Sequence, residues 1–258
     1  MTSSADKAST LLKLHEAPEL LKVVNVWDVI SAKVVAELDG TRALATASHS
    51  IAASYGYADG ENIPVDLMIE AVGRIAAATD LPVSADLEAG YGDPGETVRK
   101  AIDVGIVGAN LEDQAKPLGD AVAAVEAVVK AGESAGVQFV LNARTDVFVK
   151  AGDRAPEDVL ADAIERGKAF LDAGAPVVFV PGKFDERTVA ALVEALGPQK
   201  LTLISLPGSL PLETLERLGV ARVSFGPWSQ RVALTALSNF AADVIAGGGI
   251  PDGTRPLN

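Results

Sequence analysis

A chain of 258 residues with 22 basic and 35 acidic side chains has a formal net charge of -13. That balance excludes a polyanion partner, because a nucleic-acid site needs a basic face to displace counterions. Hydrophobic residues at 48% and charged residues at 22% are ordinary globular usage with ample material for a large core, and the lack of cysteine excludes disulfides, thiolate metal sites and cysteine nucleophiles, in keeping with a reducing cytoplasm.

Residues 1–20, MTSSADKASTLLKLHEAPEL, read as an N-terminal helical segment. They lack the uninterrupted apolar stretch of a signal peptide, and His15 within them is expected at the surface. Residues 21–258 read as one catalytic domain that includes a C-terminal helix. No apolar run approaches the roughly 20 residues needed to cross a bilayer.

From Leu21 onward, short apolar runs rich in β-branched residues alternate with longer segments of helical period. The strand candidates, in order, are 22–28, 42–48, 82–88, 108–113, 138–146, 176–182, 200–208 and 221–227. Helices are expected between them at 30–40, 64–80, 95–105, 120–136, 156–174, 186–197 and 211–219, with a last one at 229–248. Several open at proline or an acidic residue and stop at glycine, as the helix dipole and the left-handed C-cap favour. The helix ending at Gly174 is the clearest, with an apolar stripe of Val159, Leu160, Ala163, Ile164, Gly167, Phe170 and Leu171. Eight β/α units in about 250 residues match a single α/β (β/α)₈ TIM-type barrel, whose closure removes both sheet edges. A doubly wound open sheet is the alternative.

Barrel enzymes place their chemistry at the C-terminal ends of the strands, and here those ends are polar. The third ends Asp86-Leu87-Glu88, the fourth Asn110-Leu111-Glu112-Asp113, and the fifth Asn142-Ala143-Arg144-Thr145-Asp146. Positions i and i+2 share a face of a strand, so Asp86 should point with Glu88, Asn110 with Glu112, and Asn142 with Arg144 and Asp146. Carboxylates converging from neighbouring strands repel one another unless a cation or a proton sits between them. Oxygen donors without His or Cys suit Mg²⁺ or Mn²⁺ held partly through water. The alternative is a salt-bridge layer in which Arg144 neutralises Glu112. Arg144 can also clamp a substrate carboxylate with its planar fork.

Gly90-Tyr-Gly92-Asp-Pro-Gly95 reads as a dinucleotide fingerprint. Asp86, Glu88 and Asp93 would set negative charge beside a pyrophosphate, which opposes that reading. His49, in Ala47-Ser48-His49-Ser50, follows the second strand, and no Ser-His-Asp context accompanies the serines.

In this order, PVSADLEAGYGD, GANLEDQ, LNARTDVF and VVFVPG resemble the phosphoenolpyruvate mutase branch of the isocitrate lyase superfamily. The resemblance runs from Asn25 through GVARVSFGP and implies a (β/α)₈ barrel, often a dimer or tetramer with exchanged C-terminal helices, that binds Mg²⁺ with a small α-oxo acid. By that resemblance Asp86 is the direct metal ligand, Glu88 and Glu112 act mostly through coordinated water, and Asp59 belongs to the same acidic environment. Arg144 would hold the substrate carboxylate, with Asn142 beside it and the Ala47–Ser48 turn offering backbone N–H groups. The resemblance is incomplete. The catalytic cysteine loop of the lyase branch is replaced by Gln114-Ala-Lys-Pro-Leu-Gly-Asp120. The long gating loop of the phosphonomutases, with its Lys and Asn, is also missing. Ala47 stands where those enzymes carry serine, and the sixth strand ends in Pro181 where they carry histidine. What survives can stabilise an enolate, which implies a carbon–carbon lyase or an activity like that of oxaloacetate decarboxylase. Phosphorus–carbon chemistry and a silent α-oxo acid binding protein are the rivals. Lys116, Tyr91 and His49 are the candidate proton carriers.

Overall fold

In a computed structural model, residues 3–257 are described. Nine parallel strands form one sheet. They are β1 (Leu21–Val23), β2 (Asn25–Val26), β3 (Leu44–Thr46), β4 (Val83–Asp86), β5 (Gly108–Glu112), β6 (Val140–Arg144), β7 (Val177–Phe179), β8 (Leu201–Ile204) and β9 (Arg222–Ser224). β1 pairs with β9 and β2 with β3, while only Val24 separates β1 from β2. The two are one stave, shared between first and last neighbours, and the sheet closes into an eight-stave barrel. All eight expected strands are present. Each ladder is shorter than its apolar run, the outermost residues of the run belonging to the loops.

The helices are α1 (Ser4–Glu16), α2 (Val29–Ala36), α3 (Ser48–Ser54), α4 (Val65–Ala77), α5 (Pro94–Asp103), α6 (Leu118–Ser134), α7 (Pro156–Asp172), α8 (Glu186–Leu196), α9 (Leu212–Arg217) and α10 (Trp228–Ile245). The stripe expected on α7 packs inward, with Val159, Ala163, Gly167 and Phe170 buried and Leu160, Ile164 and Leu171 against the core. Asp93 caps α5 by accepting the Glu96 N–H at 3.0 Å. The glycine-rich segment before α5 thus fills its own helix terminus with a carboxylate, where a dinucleotide would need to put phosphate. The short helix α3 stands where the sequence predicts only the Ala47–Ser48 turn.

α1 closes the N-terminal end of the barrel. Ala8, Leu11, Leu14 and His15 are buried beneath it, and Leu11 packs so closely on Gly108 that a Cβ there would meet its Cδ2 at 2.8 Å. His15 is therefore fully buried and not at the surface as expected. The reason is helical period: His15 lies four residues beyond Leu11, on the same face. Its Nδ1–H donates to the Leu11 carbonyl at 2.8 Å. Burial, and then the nearby Arg222 charge, push its pKa down from 6.5 to about 3.

A group that stays neutral when folded and protonates when unfolded takes up more protons in the unfolded state between those two values. Stability is then lost as pH falls below 6.5. By pH 5 the loss from His15 is about 2 kcal/mol. Urea unfolding at pH 7.5 and pH 5 should show wild type losing that much more than His15→Met, and equal losses would refute the assignment.

Candidate active site

Four neighbouring staves build the site at the C-terminal end of the barrel. β3 contributes Thr46 and the Ala47–Ser48 turn, β4 contributes Asp86, β5 Glu112 and β6 Arg144. Asp86 is held from three directions. Its backbone N–H donates to Thr46 Oγ1 at 3.0 Å, and its Oδ2 accepts the Ser48 N–H at 3.1 Å and the Ser48 hydroxyl at 2.8 Å. The first-turn donors of α3 are thus spent on orienting a carboxylate, and among the described residues no hydrogen bond occupies Oδ1.

Glu88 lies beyond the end of β4, in the left-handed region at φ 53°, so strict strand alternation does not place it. Its carboxylate accepts the Glu61 N–H and lies 3.4 Å from the Tyr91 hydroxyl, while Glu61 Oε1 accepts the Tyr91 N–H at 2.5 Å. Glu61 and Tyr91 are also left-handed, at φ 62° and 53°. Non-glycine residues adopt this conformation at a cost, and here reciprocal bonds between the loops after α3 and after β4 offset it. Glu61 and Tyr91 Nα were not foreseen, since neither loop carries a motif that specifies the pairing.

Arg144 Nη1 is ion-paired with Glu112 Oε2 at 2.9 Å, and its Nε donates to Asp146 Oδ1 at 2.7 Å. The guanidinium also lies 5.8 Å from the centre of the Phe179 ring, a cation–π contact that only the alignment of β6 beside β7 creates. Beneath this ion-paired layer, Asn142 donates to Asn110 Oδ1 and accepts from the Thr202 hydroxyl, both at 2.7 Å. Asn142 is 2% exposed and stands a layer below the arginine, with both ends of its amide engaged by the barrel.

Burial pushes the Glu88 carboxyl up to about 7, reinforced by the charges of Asp86, Asp59 and Glu61. Burial raises Glu112 to about 7 as well, against the opposing pull of Arg144. Asp59 faces solvent across from His49, with Oδ2 3.6 Å from His49 Nδ1. It is near enough to Glu88 to be felt as charge.

Among the described residues, no group of three or more acidic or histidine side chains is arranged to enclose a metal ion by itself. The donor set nevertheless fits a hard divalent cation held mainly through water. Asp86 offers one carboxylate oxygen already aimed by Ser48, and crowded carboxylates with raised proton affinity are relieved by positive charge.

The loop after β5 is short and tethered. Asp113 Oδ1 accepts N–H groups of Ala115 and Asp146 at 2.7 and 2.9 Å, and its Oδ2 pairs with Arg166 at 3.0 Å. Arg166 also donates to the Lys116 carbonyl at 2.8 Å, and Lys150 to that of Gln114 at 2.7 Å. Arg166 lies in the buried stripe of α7, and its length is what lets it reach this loop.

The family model for phosphoenolpyruvate phosphomutase matches residues 11–245. The chain belongs to this family. Within it, the phosphomutase-family chain shares 28% identity over 250 residues with a Corynebacterium glutamicum protein named "Probable 2-methylisocitrate lyase 2", covering 88% of this chain and 77% of that one. A Burkholderia cenocepacia structure provisionally named a phosphonomutase is 39% identical with a TM-score of 0.86, over 95% of this chain and 100% of its own. Oxaloacetate acetylhydrolase, solved with its product oxalate, is 27% identical with a TM-score of 0.87, over 100% of this chain and 92% of its own. The barrel expected from the sequence is therefore the family's, and relatives bearing enzyme names surround the chain.

Proposed function

We propose that this protein is a Mg²⁺-dependent lyase that cleaves a carbon–carbon bond of a small α-oxo acid, with oxaloacetate-like β-oxo acids as its simplest substrates. The observation that carries the reading is the Asp86, Glu88, Glu112 and Arg144 constellation, which retains the charge-stabilising half of the site. When bound, Mg²⁺ supplies Lewis-acid stabilisation of negative charge on the keto oxygen. Asp86 would provide the direct ligand oxygen, Glu88 and Glu112 would hold coordinated water, and Asp59 would add acidic charge at the rim. Arg144 binds the substrate carboxylate through guanidinium hydrogens left beside its two ion pairs. The Ala47–Ser48 turn borders that carboxylate, and Asn142 supports the floor. Of the candidate proton carriers, Tyr91 reaches Glu88 with its hydroxyl and His49 faces Asp59 at the rim.

The Burkholderia relative favours phosphorus–carbon chemistry as a second reading. Moving a phosphoryl group requires cationic and polar groups around its equatorial oxygens. Here the loop after β5 is tied down by Asp113, Arg166 and Lys150, and β7 leads into Pro181. The deciding experiment assays the Mg²⁺-loaded protein on oxaloacetate, methylisocitrate, phosphoenolpyruvate and phosphonopyruvate, following pyruvate, glyoxylate and phosphorus products. Oxaloacetate cleavage is the expected outcome. Phosphonopyruvate turnover without carbon–carbon cleavage would reverse the order, and no turnover at all would favour a silent binding protein.

A homo-oligomer completes the reading. Beyond Gln230, α10 is exposed throughout and carries Val232, Leu234, Leu237 and Ile245 at 68%, 54%, 59% and 87% exposure. At its root lies an apolar groove of about 570 Å³, walled by Trp27, Ile30, Val34, Phe225, Trp228 and Val232. An apolar helix beside an apolar groove needs a cover, and a second copy supplies both halves at once. Val232→Asp with Leu237→Asp should convert the assembly to monomer in analytical ultracentrifugation. An unchanged sedimentation coefficient would remove α10 from the interface.

A further inference from the structure

Asp86 is gripped by Thr46 and by Ser48, and the segments that carry these two residues are each held by a buried amide that lies outside the site. α3 has seven residues and no side-chain cap at Ala47, so its position depends on what holds it from behind. Gln230, in the first turn of α10 and 8% exposed, donates from Nε2 to the Ser50 carbonyl at 3.1 Å and to Ser54 Oγ at 3.0 Å. Asn25, 3% exposed, donates from Nδ2 to the Thr46 carbonyl at 2.8 Å and accepts the Phe225 N–H at 2.7 Å. The Asn25 carbonyl in turn accepts the Ser229 hydroxyl at 2.5 Å. The root of α10 is therefore bonded to both segments that orient Asp86: to Thr46 through Asn25, and to Ser48 through α3.

We propose that Gln230 and Asn25 are positioning residues that transmit the seating of α10 to the orientation of Asp86. This rests on the reading of Asp86 as the metal ligand. Neither amide needs to touch substrate. Each removes a freedom of the turn that carries the Ser48 donors, and with them a freedom of the Asp86 carboxylate. Because the rest of α10 is exposed, the same two amides make the site sensitive to whatever the helix packs against.

Asn25 lies at the barrel seam, so Gln230 carries the test. Gln230→Met keeps the length and loses the donor, and Ser54→Ala removes one of its two acceptors at an exposed position. In deuterium exchange on the metal-free protein, Gln230→Met should speed exchange of amides 48–54 about tenfold, as expected for losing a buried hydrogen-bond donor, while β5 and β6 are unchanged. Mg²⁺ titration by calorimetry should show the same variant binding the ion about five- to tenfold more weakly, with kcat at saturating Mg²⁺ changed by less than about twofold. Ser54→Ala should shift both readouts in the same direction by less.

Uniformly faster exchange across the barrel would mean a general stability role and would overturn the proposal. Unchanged exchange at 48–54, or wild-type Mg²⁺ affinity in Gln230→Met, would overturn it as well. A wild-type protein that binds no Mg²⁺ would sink the functional reading instead, and exchange across 48–54 would then decide the positioning claim alone.

Discussion

Asp86→Ala should lower Mg²⁺-dependent turnover by on the order of 10³-fold, the scale of removing one preorganised electrostatic group from an active site. Asp86 ends β4, half-buried, with Oδ2 committed to Ser48 and Oδ1 left for the ligand role proposed above. The alanine variant keeps the backbone N–H bond to Thr46. It strands the two Ser48 donors, for a stability cost of about 1 kcal/mol. Asp86→Asn separates the two effects. Its amide oxygen can still accept from Ser48, but a neutral oxygen is a poor partner for a hard cation. Both variants should therefore lose Mg²⁺ affinity in calorimetry, and only alanine should lose measurable stability. Wild-type Mg²⁺ affinity in either would remove Asp86 from the metal site.

Arg144→Lys should lower kcat/KM for the α-oxo acid by about 10²-fold, although the charge is retained. The guanidinium serves Glu112 and Asp146 through separate nitrogens and lies over Phe179. A lysine ammonium on a flexible stem cannot meet both acids in one plane and still present a fork to a substrate carboxylate. Most of the loss should fall on KM, because a carboxylate clamp acts on substrate and transition state alike. A lysine variant with wild-type kcat/KM would show that Arg144 is only the counter-charge of the acidic layer.

The barrel and the polar residues at the ends of its strands were legible in the sequence alone. Alternating periods mark all eight staves, and polar residues follow the apolar runs at Asp86, Glu112 and Arg144, because parallel strands buried on both faces leave only their ends free for charge. Even so, the sequence placed Glu88 by an alternation that stops two residues before it, and it put His15 at the surface although its spacing from Leu11 points inward.

The tertiary structure decided the bonds between segments far apart in the chain. Glu61 answers Glu88 from 27 residues away, Arg166 answers Asp113 from 53, and Gln230 answers Ser50 from 180. Local propensity and period carry no information about such pairs, since each partner alone is an ordinary surface-type residue. Only closure of the barrel, which seats α10 beside α3 and the loop after α3 beside the loop after β4, buries these polar groups and makes a partner for each one obligatory.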